Sequence, residues 1–260
     1  MRIWTFGCSF TQYFYPTWAD ILIHEVNQHN HSGENWGRCG RGNLYIANKV
    51  QECHARNKLN KDDWVFICWS NYFREDAHTD KLGWHTPGQV FKQTQYTDGT
   101  VNGFGSAKYY AMRDLALIQS TRLSLQALGV NQFHFSILPM SGGDKNISAV
   151  FDTFQPTFDG PAMMESLNLM LQDEDTKRNR LRSFPPENPI DTLAEWHPLP
   201  WEHLDYLEKY IKPRITWLNN GVTDSTKHFV DIWKNKILSM QQPVNLGATG
   251  WKQKNLNQWL

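Results

Sequence analysis

The apolar positions follow two rhythms. Ile3-Trp4-Thr5-Phe6 and Trp64-Val65-Phe66-Ile67-Cys68-Trp69 are short apolar runs, and Gln132 to Leu138 alternates into a third. They read as strands over 2–6, 64–69 and 132–138, with a short one near 33–36. Between them apolar residues recur at three- and four-residue intervals. Trp18, Ile21, Leu22 and Val26 predict a helix over 17–29, Leu44, Ala47 and Val50 one over 43–57, and Leu115, Ile118 and Leu125 one over 106–128 closed by Gly129. Strands apolar throughout are covered on both faces, and their alternation with helices predicts an α/β fold around a parallel sheet.

The rhythm fails in two places. Residues 75–104 scatter His, Gly, Thr and Pro without a period and read as a surface insertion, of the kind that often forms a substrate lid. Residues 140–190 are mixed, with a Ser141-Gly142-Gly143 loop, a predicted helix at 160–173 and a charged run from Asp173 to Arg182. Helices are expected again over 200–218 and 223–240. This organises the chain as one main domain over 1–220, with insertions at about 75–104 and 140–190, followed by a C-terminal helix and polar tail over 221–260.

Composition narrows the partners. Of 260 residues, 26 are basic and 26 acidic, so a formal net charge of zero gives nucleic acid or an anionic membrane no electrostatic support. Mean hydropathy is −0.59, and no apolar run is long enough to span a bilayer. Twelve Trp suit core packing first and a sugar-stacking platform second. The four Cys form no CxxC pair, which favours reduced thiols. Met1-Arg2 runs straight into the first strand, so no signal peptide is expected, and the expected location is a cytoplasm or a particle assembled there.

Four pieces carry chemistry. Ser9 follows the first strand in Gly7-Cys8-Ser9-Phe10-Thr11, where a glycine exit onto a helix start would expose its hydroxyl to the positive end of a helix. Asn35 to Asn43 is a glycine-rich turn into a helix, whose backbone N–H groups can face an oxyanion. Asn71 lies just past the strongest strand. His197 sits in the proline-bounded loop Glu195-Trp196-His197-Pro198-Leu199-Pro200. Ligands on open α/β sheets bind beyond the carboxyl ends of the strands, and the sequence puts Ser9 and Asn71 there.

Together these blocks resemble the SGNH (GDSL-type) hydrolases over roughly residues 1–75 and 190–212. Gly7-Cys8-Ser9 resembles the nucleophile block with Cys in place of Asp, and Asn35 to Gly40 resembles the second block. Trp69-Ser70-Asn71-Tyr72 is a relaxed third block, and His197-Pro198 the last. The string through His203 and Tyr206 is most similar to small SGNH proteins of tailed bacteriophages. The resemblance implies a three-layer α/β/α sandwich with a mostly parallel, flavodoxin-like central sheet. It implies Ser9 as nucleophile, His197 as base, and an oxyanion hole of Ser9, Gly40 and Asn71. The acid usually stands three residues before the histidine, where this chain has Ala194. Glu195 is the natural substitute and Asp191 a more distant one.

The implied activity is hydrolysis of a short-chain acyl ester, such as an O-acetyl group on a carbohydrate, with acyl transfer by the same serine as a variant. The alternative is a non-catalytic accessory protein, for instance a phage-particle component, that keeps the fold for binding. Arg74 is a candidate for holding an anionic part of the substrate, against an ion pair with Glu75 or Asp76. Asn43 is expected to cap the second helix, Cys8 to be buried, and His203 to be structural or pocket-lining. A plain helix cap is the competing reading of Ser9. His24, His29 and His31 lack a metal-ligand pattern, so neither metal nor cofactor is expected. A homo-oligomer and a virion assembly both fit the chain.

Overall fold

The computed structural model describes residues 1–72, 74–81, 83–85, 106–140, 145–164, 197–215 and 221–238. Its centre is a four-stranded parallel sheet of β1 (Arg2–Gly7), β2 (Ser32–Asn35), β3 (Asp63–Trp69) and a strand at Asn131–Ser136, in the order β2, β1, β3, Asn131–Ser136. A two-stranded antiparallel hairpin, β4 (Ala77–Thr79) and β5 (Gly83–His85), stands apart, which makes Asn131–Ser136 β6. The helices are α1 (Trp18–Gln28), α2 (Asn43–Asn57), α3 (Ala107–Ala127), α4 (Lys145–Phe154), α5 (Pro200–Tyr206) and α6 (Asp224–Leu238).

The period of two in a strand sends alternate side chains to opposite faces. Phe66 and Cys68 of β3, with Phe133 and Phe135 of β6, enter a core shared with α1, α5 and α6. Val65, Ile67 and Trp69 enter a second core under α2, α3 and α4. Both faces are therefore dry, and the architecture is the expected α/β sandwich with a parallel sheet. At the amino end of the sheet, Arg2 grips buried Asp63 through Nε and Nη2 at 2.8 and 2.7 Å. The opposite end carries the residues singled out above.

The structure differs from the sequence expectation in several elements. Part of the 75–104 insertion is the β4–β5 hairpin, and 86–105 lie outside the described residues. Helix α4 was not expected. Its Ile147, Val150, Phe151 and Phe154 do pack at helical spacing against the α3 core. Of the helix expected at 160–173, residues 160–164 are described: Gly160, Pro161 and Ala162 are not helical, and Met163 and Met164 are. The helix expected at 200–218 stays α-helical only to Tyr206. It then widens into a π turn at Leu207–Ile211 and tightens to a 3-10 turn at Lys212–Arg214, where Pro213 has no N–H to continue the ladder.

Helix α6 docks on α1. The buried Glu25 carboxylate accepts from Thr223 N at 3.1 Å and Thr223 Oγ1 at 2.8 Å, and it also meets His29 Nε2 at 3.0 Å. The His24 ring stacks on Phe229 with centroids 4.5 Å apart. No helix among the described residues is long and apolar enough to cross a membrane.

Candidate active site

The register pairs Gly7 with Cys68, Thr5 with Asn35 and Trp69 with Ser136, so all four parallel strands end at one edge. The backbone alignment continues past the strands: Trp36 N donates to Thr5 O at 2.8 Å and Arg38 N to Gly7 O at 3.0 Å. Three of the four candidate blocks, those of Ser9, Gly40 and Asn71, leave the sheet side by side for this reason.

Ser9 sits in a compact turn, not on a helix. Cys8 O accepts from Thr11 N and Gln12 N at 2.9 and 3.0 Å, and the chain then runs on to α1, which starts only at Trp18. Pro16 disfavours helical backbone at Tyr15, and Thr17 is the N-cap, with its N–H donating to Asp20 Oδ2 at 2.9 Å. This corrects the expectation that Ser9 opens a helix, and it removes the reading of Ser9 as a cap. Gly7 is required by close approach: a Cβ there would collide with Thr11 Oγ1 and lie 2.9 Å from Cys68 O. Cys8 is fully buried in the α1-side core, as expected.

His197 Nε2 lies 2.8 Å from Ser9 Oγ, across 188 positions of sequence. Prolines on both sides of Leu199 delay α5 to Pro200, and the buried Glu202 carboxylate accepts from Leu199 N at 2.7 Å. The imidazole stacks on Tyr13 at 4.0 Å and 19°, and Phe10 lies 5.0 Å away at a tilt. Tyr15 Oη donates to His197 O at 3.3 Å. None of these three aromatic contacts was anticipated, and nothing in Phe10-Thr11-Gln12-Tyr13-Phe14-Tyr15 marks them except aromatic density beside the serine. Glu195 and Asp191, the two candidate acids, lie outside the described residues.

His203, one turn into α5, is only 1% exposed, and neither ring nitrogen has a partner. Burial, and secondarily the neighbouring His197 charge, push its pKa down to about 3, so the ring is neutral. His134 on β6 is similarly held neutral at about 3 by burial, with Trp69 Nε1 donating to Nδ1 and Gln132 Oε1 facing Nε2.

The other half of the site is polar. Asn35 Nδ2 donates to Thr11 O at 2.7 Å and Asp20 Oδ1 at 2.9 Å, while its Oδ1 accepts from Gly37 N at 3.0 Å. One amide thus joins the serine turn to the glycine-rich turn. Gly40 occupies the left-handed region at φ 78°, on the exposed crest of that turn. Asn43 does not cap α2. The N-cap is Gly42, and the buried Asp76 carboxylate caps from across the fold, accepting from Gly42 N at 2.7 Å and Tyr45 N at 2.9 Å. This frees the Asn43 side chain to reach the end of β3. It accepts from Ser70 N at 2.8 Å and donates to Ser70 O at 3.0 Å and to Asp114 Oδ2 at 2.8 Å, so the backbone carrying Asn71 is clamped.

Arg74 makes no ion pair with Glu75 or Asp76. Its Nη1 donates to Arg41 O at 2.9 Å, and Arg113 takes Glu75, Asp114 and Arg74 O instead. Burial pushes the Asp114 carboxyl up, against the opposing pull of Arg113. Among the described residues no three His, Cys, Asp or Glu side chains form a metal-binding group.

A parallel α/β sandwich with a buried serine hydrogen-bonded to a histidine at the carboxyl edge of its sheet is the class that fold and site define. No family model matches the chain, and no curated protein matches it. Among solved structures it is similar to a GDSL-like lipase from Bacteroides thetaiotaomicron, with 16% identity over 83% of this chain and 88% of that one and a TM-score of 0.38. It is also similar to a member of the lipolytic protein G-D-S-L family from Veillonella parvula, with 13% identity, 80% and 98% coverage and a TM-score of 0.36.

Proposed function

We propose that this protein is a serine ester hydrolase of the SGNH type, acting on a short-chain acyl ester such as an O-acetyl group on a carbohydrate. The observation that carries the reading is the 2.8 Å contact between His197 Nε2 and Ser9 Oγ. A serine within hydrogen-bond reach of an imidazole can lose its proton as it attacks. In this reading His197 takes the Ser9 proton while Oγ bonds to the ester carbonyl carbon. The oxyanion that forms is held by the N–H groups of Ser9 and Gly40 and by the Asn71 amide. His197 returns the proton to the leaving alcohol, and water, deprotonated by the same imidazole, then releases the acid and restores Ser9. Glu195, or Asp191, orients the imidazole and balances its positive charge.

Intact-mass labelling with a fluorophosphonate tests this. Wild type should gain a single adduct that Ser9→Ala and His197→Ala both lose. Hydrolysis of a 4-nitrophenyl acyl ester should fall about 10⁴-fold or more in Ser9→Ala. Folded wild-type protein that takes no adduct overturns the reading and leaves the binding module, with phage-particle assembly as one setting.

A further inference from the structure

Three donor-bearing side chains gather at the glycine-rich turn with no carboxylate among them. Arg38 and Arg41 lie on either side of Gly40, and Tyr45 follows on the first turn of α2. Arg41 Cζ lies 5.8 Å from the Tyr45 ring centroid. The two guanidinium charges repel each other, and both act on the Tyr45 phenol. Arg2, Arg56, Arg113 and Arg122 each sit on a carboxylate. Among the described residues neither Arg38 nor Arg41 does, and neither side chain has a hydrogen bond.

The carboxylate whose charge reaches both Arg41 and Tyr45 does not answer them. Asp76 is felt by Arg41 and Tyr45, but its oxygens accept from Gly42 N and Tyr45 N. Arg41 Nε is buried without a partner, and burial first, then Arg38, pulls its pKa down. A folded chain gains nothing by holding two cations together over an unsatisfied buried donor. An oxyanion arriving between them would relieve both costs, and the guanidinium fork matches carboxylate or phosphate oxygens two at a time.

The turn is also fixed to the serine. Arg38 N is bonded to Gly7 O, two residues before Ser9, and Arg74 braces Arg41 O from the other side. We propose that Arg38, Arg41 and the Tyr45 hydroxyl form a subsite for an anionic substituent, carboxylate or phosphate, on the ester that Ser9 attacks. This rests on the ester-hydrolase reading, and it moves the anion-binding role considered for Arg74 to Arg38 and to Arg41, whose carbonyl Arg74 braces.

The test compares 4-acetoxybenzoate with its neutral methyl ester, which carry the same acetyl group. The ratio of kcat/KM for the anionic ester to that for the neutral ester should fall about tenfold or more in Arg38→Gln/Arg41→Gln, and by a smaller factor in Arg38→Gln alone. A thermal melt confirms that each variant is folded. Calorimetric titration with benzoate and with phenyl phosphate reads the subsite apart from catalysis and tells the two anions apart. Binding of either that is lost in the double variant upholds the subsite. An unchanged ratio with Ser9-dependent hydrolysis intact overturns it and leaves the hydrolase reading standing. If neither ester is hydrolysed in a Ser9-dependent way, the hydrolase reading fails. Calorimetry then decides alone: no binding to wild type, or undiminished binding to the double variant, overturns the subsite.

Discussion

The two halves of the candidate site are built from different materials. His197 is held by rings, with Tyr13 stacked on it, Phe10 beside it and Tyr15 fixing its carbonyl. The turns carrying Gly40 and Asn71 are held by amides and carboxylates, half-buried Asn35 and buried Asn43, Asp76 and Asp114. Ring contacts are weakly directional and tolerate small shifts, at about 0.5–1.5 kcal/mol per pair. A buried hydrogen-bond network is satisfied in one geometry and costly in any other. In the proposed mechanism the imidazole must serve both steps, whereas the oxyanion donors must stay fixed, and each half has the material that suits its task.

Substitutions can break this contrast in order of expected size. Asn71→Ala removes a proposed oxyanion donor and should lower kcat about 10²–10³-fold while fluorophosphonate still finds Ser9. Steady-state kinetics and adduct mass together check it. Asn43→Ala unclamps the polar half, leaving the Ser70 N–H and Asp114 Oδ2 unmatched in the interior while Asp114 Oδ1 keeps Arg113. It should cost about 2–4 kcal/mol in urea unfolding, with kcat reduced and KM less affected. Asn43→Asp tests the point further, since a second carboxylate against Asp114 should be worse than Ala at neutral pH.

Acid separates the halves in another way. His203 and His134 have folded pKa values near 3, far below the ordinary histidine value of 6.5. The unfolded chain therefore binds more protons than the fold between these limits. The stability from keeping each ring neutral is complete above pH about 6.5 and is lost as pH falls toward 3. His203→Phe removes one of the two contributions and also the two orphan nitrogens. Its unfolding free energy should fall less steeply below pH 6.5, by up to about 1.4 kcal/mol per pH unit, as equilibrium melts across pH would show. The smallest effect is expected from Tyr13→Leu, which keeps an apolar neighbour but loses the stack. A loss of about 1 kcal/mol and a several-fold fall in labelling rate would fit a ring-built half.

What the sequence showed and what it hid follow the same division. Strands buried on both faces announce themselves, and Trp64 to Trp69 could hardly be anything else. Ser9 and His197 were legible by residue type and by a strand end or proline-bounded loop, and the structure brings them into contact. The supports were not legible, because each is a tertiary pairing. Asp76 caps a helix that begins 33 residues before it, at Asn43, and Asn43 looked like that cap because capping is the commonest local use of an asparagine there. Helix α4 is a different case. Ile147, Val150, Phe151 and Phe154 carried the right spacing, but the preceding Ser141-Gly142-Gly143 drew the reading toward a loop.

The partners of the central contact are made far apart in time. Ser9 leaves the ribosome first, and His197 follows 188 positions later. At synthesis rates of about 5–20 residues per second, roughly ten to forty seconds separate them. Throughout that interval the nascent chain holds a serine with no base beside it. If the pair is the reactive one, the growing polypeptide is chemically quiet until His197 has emerged, and the order of the chain acts as a timer.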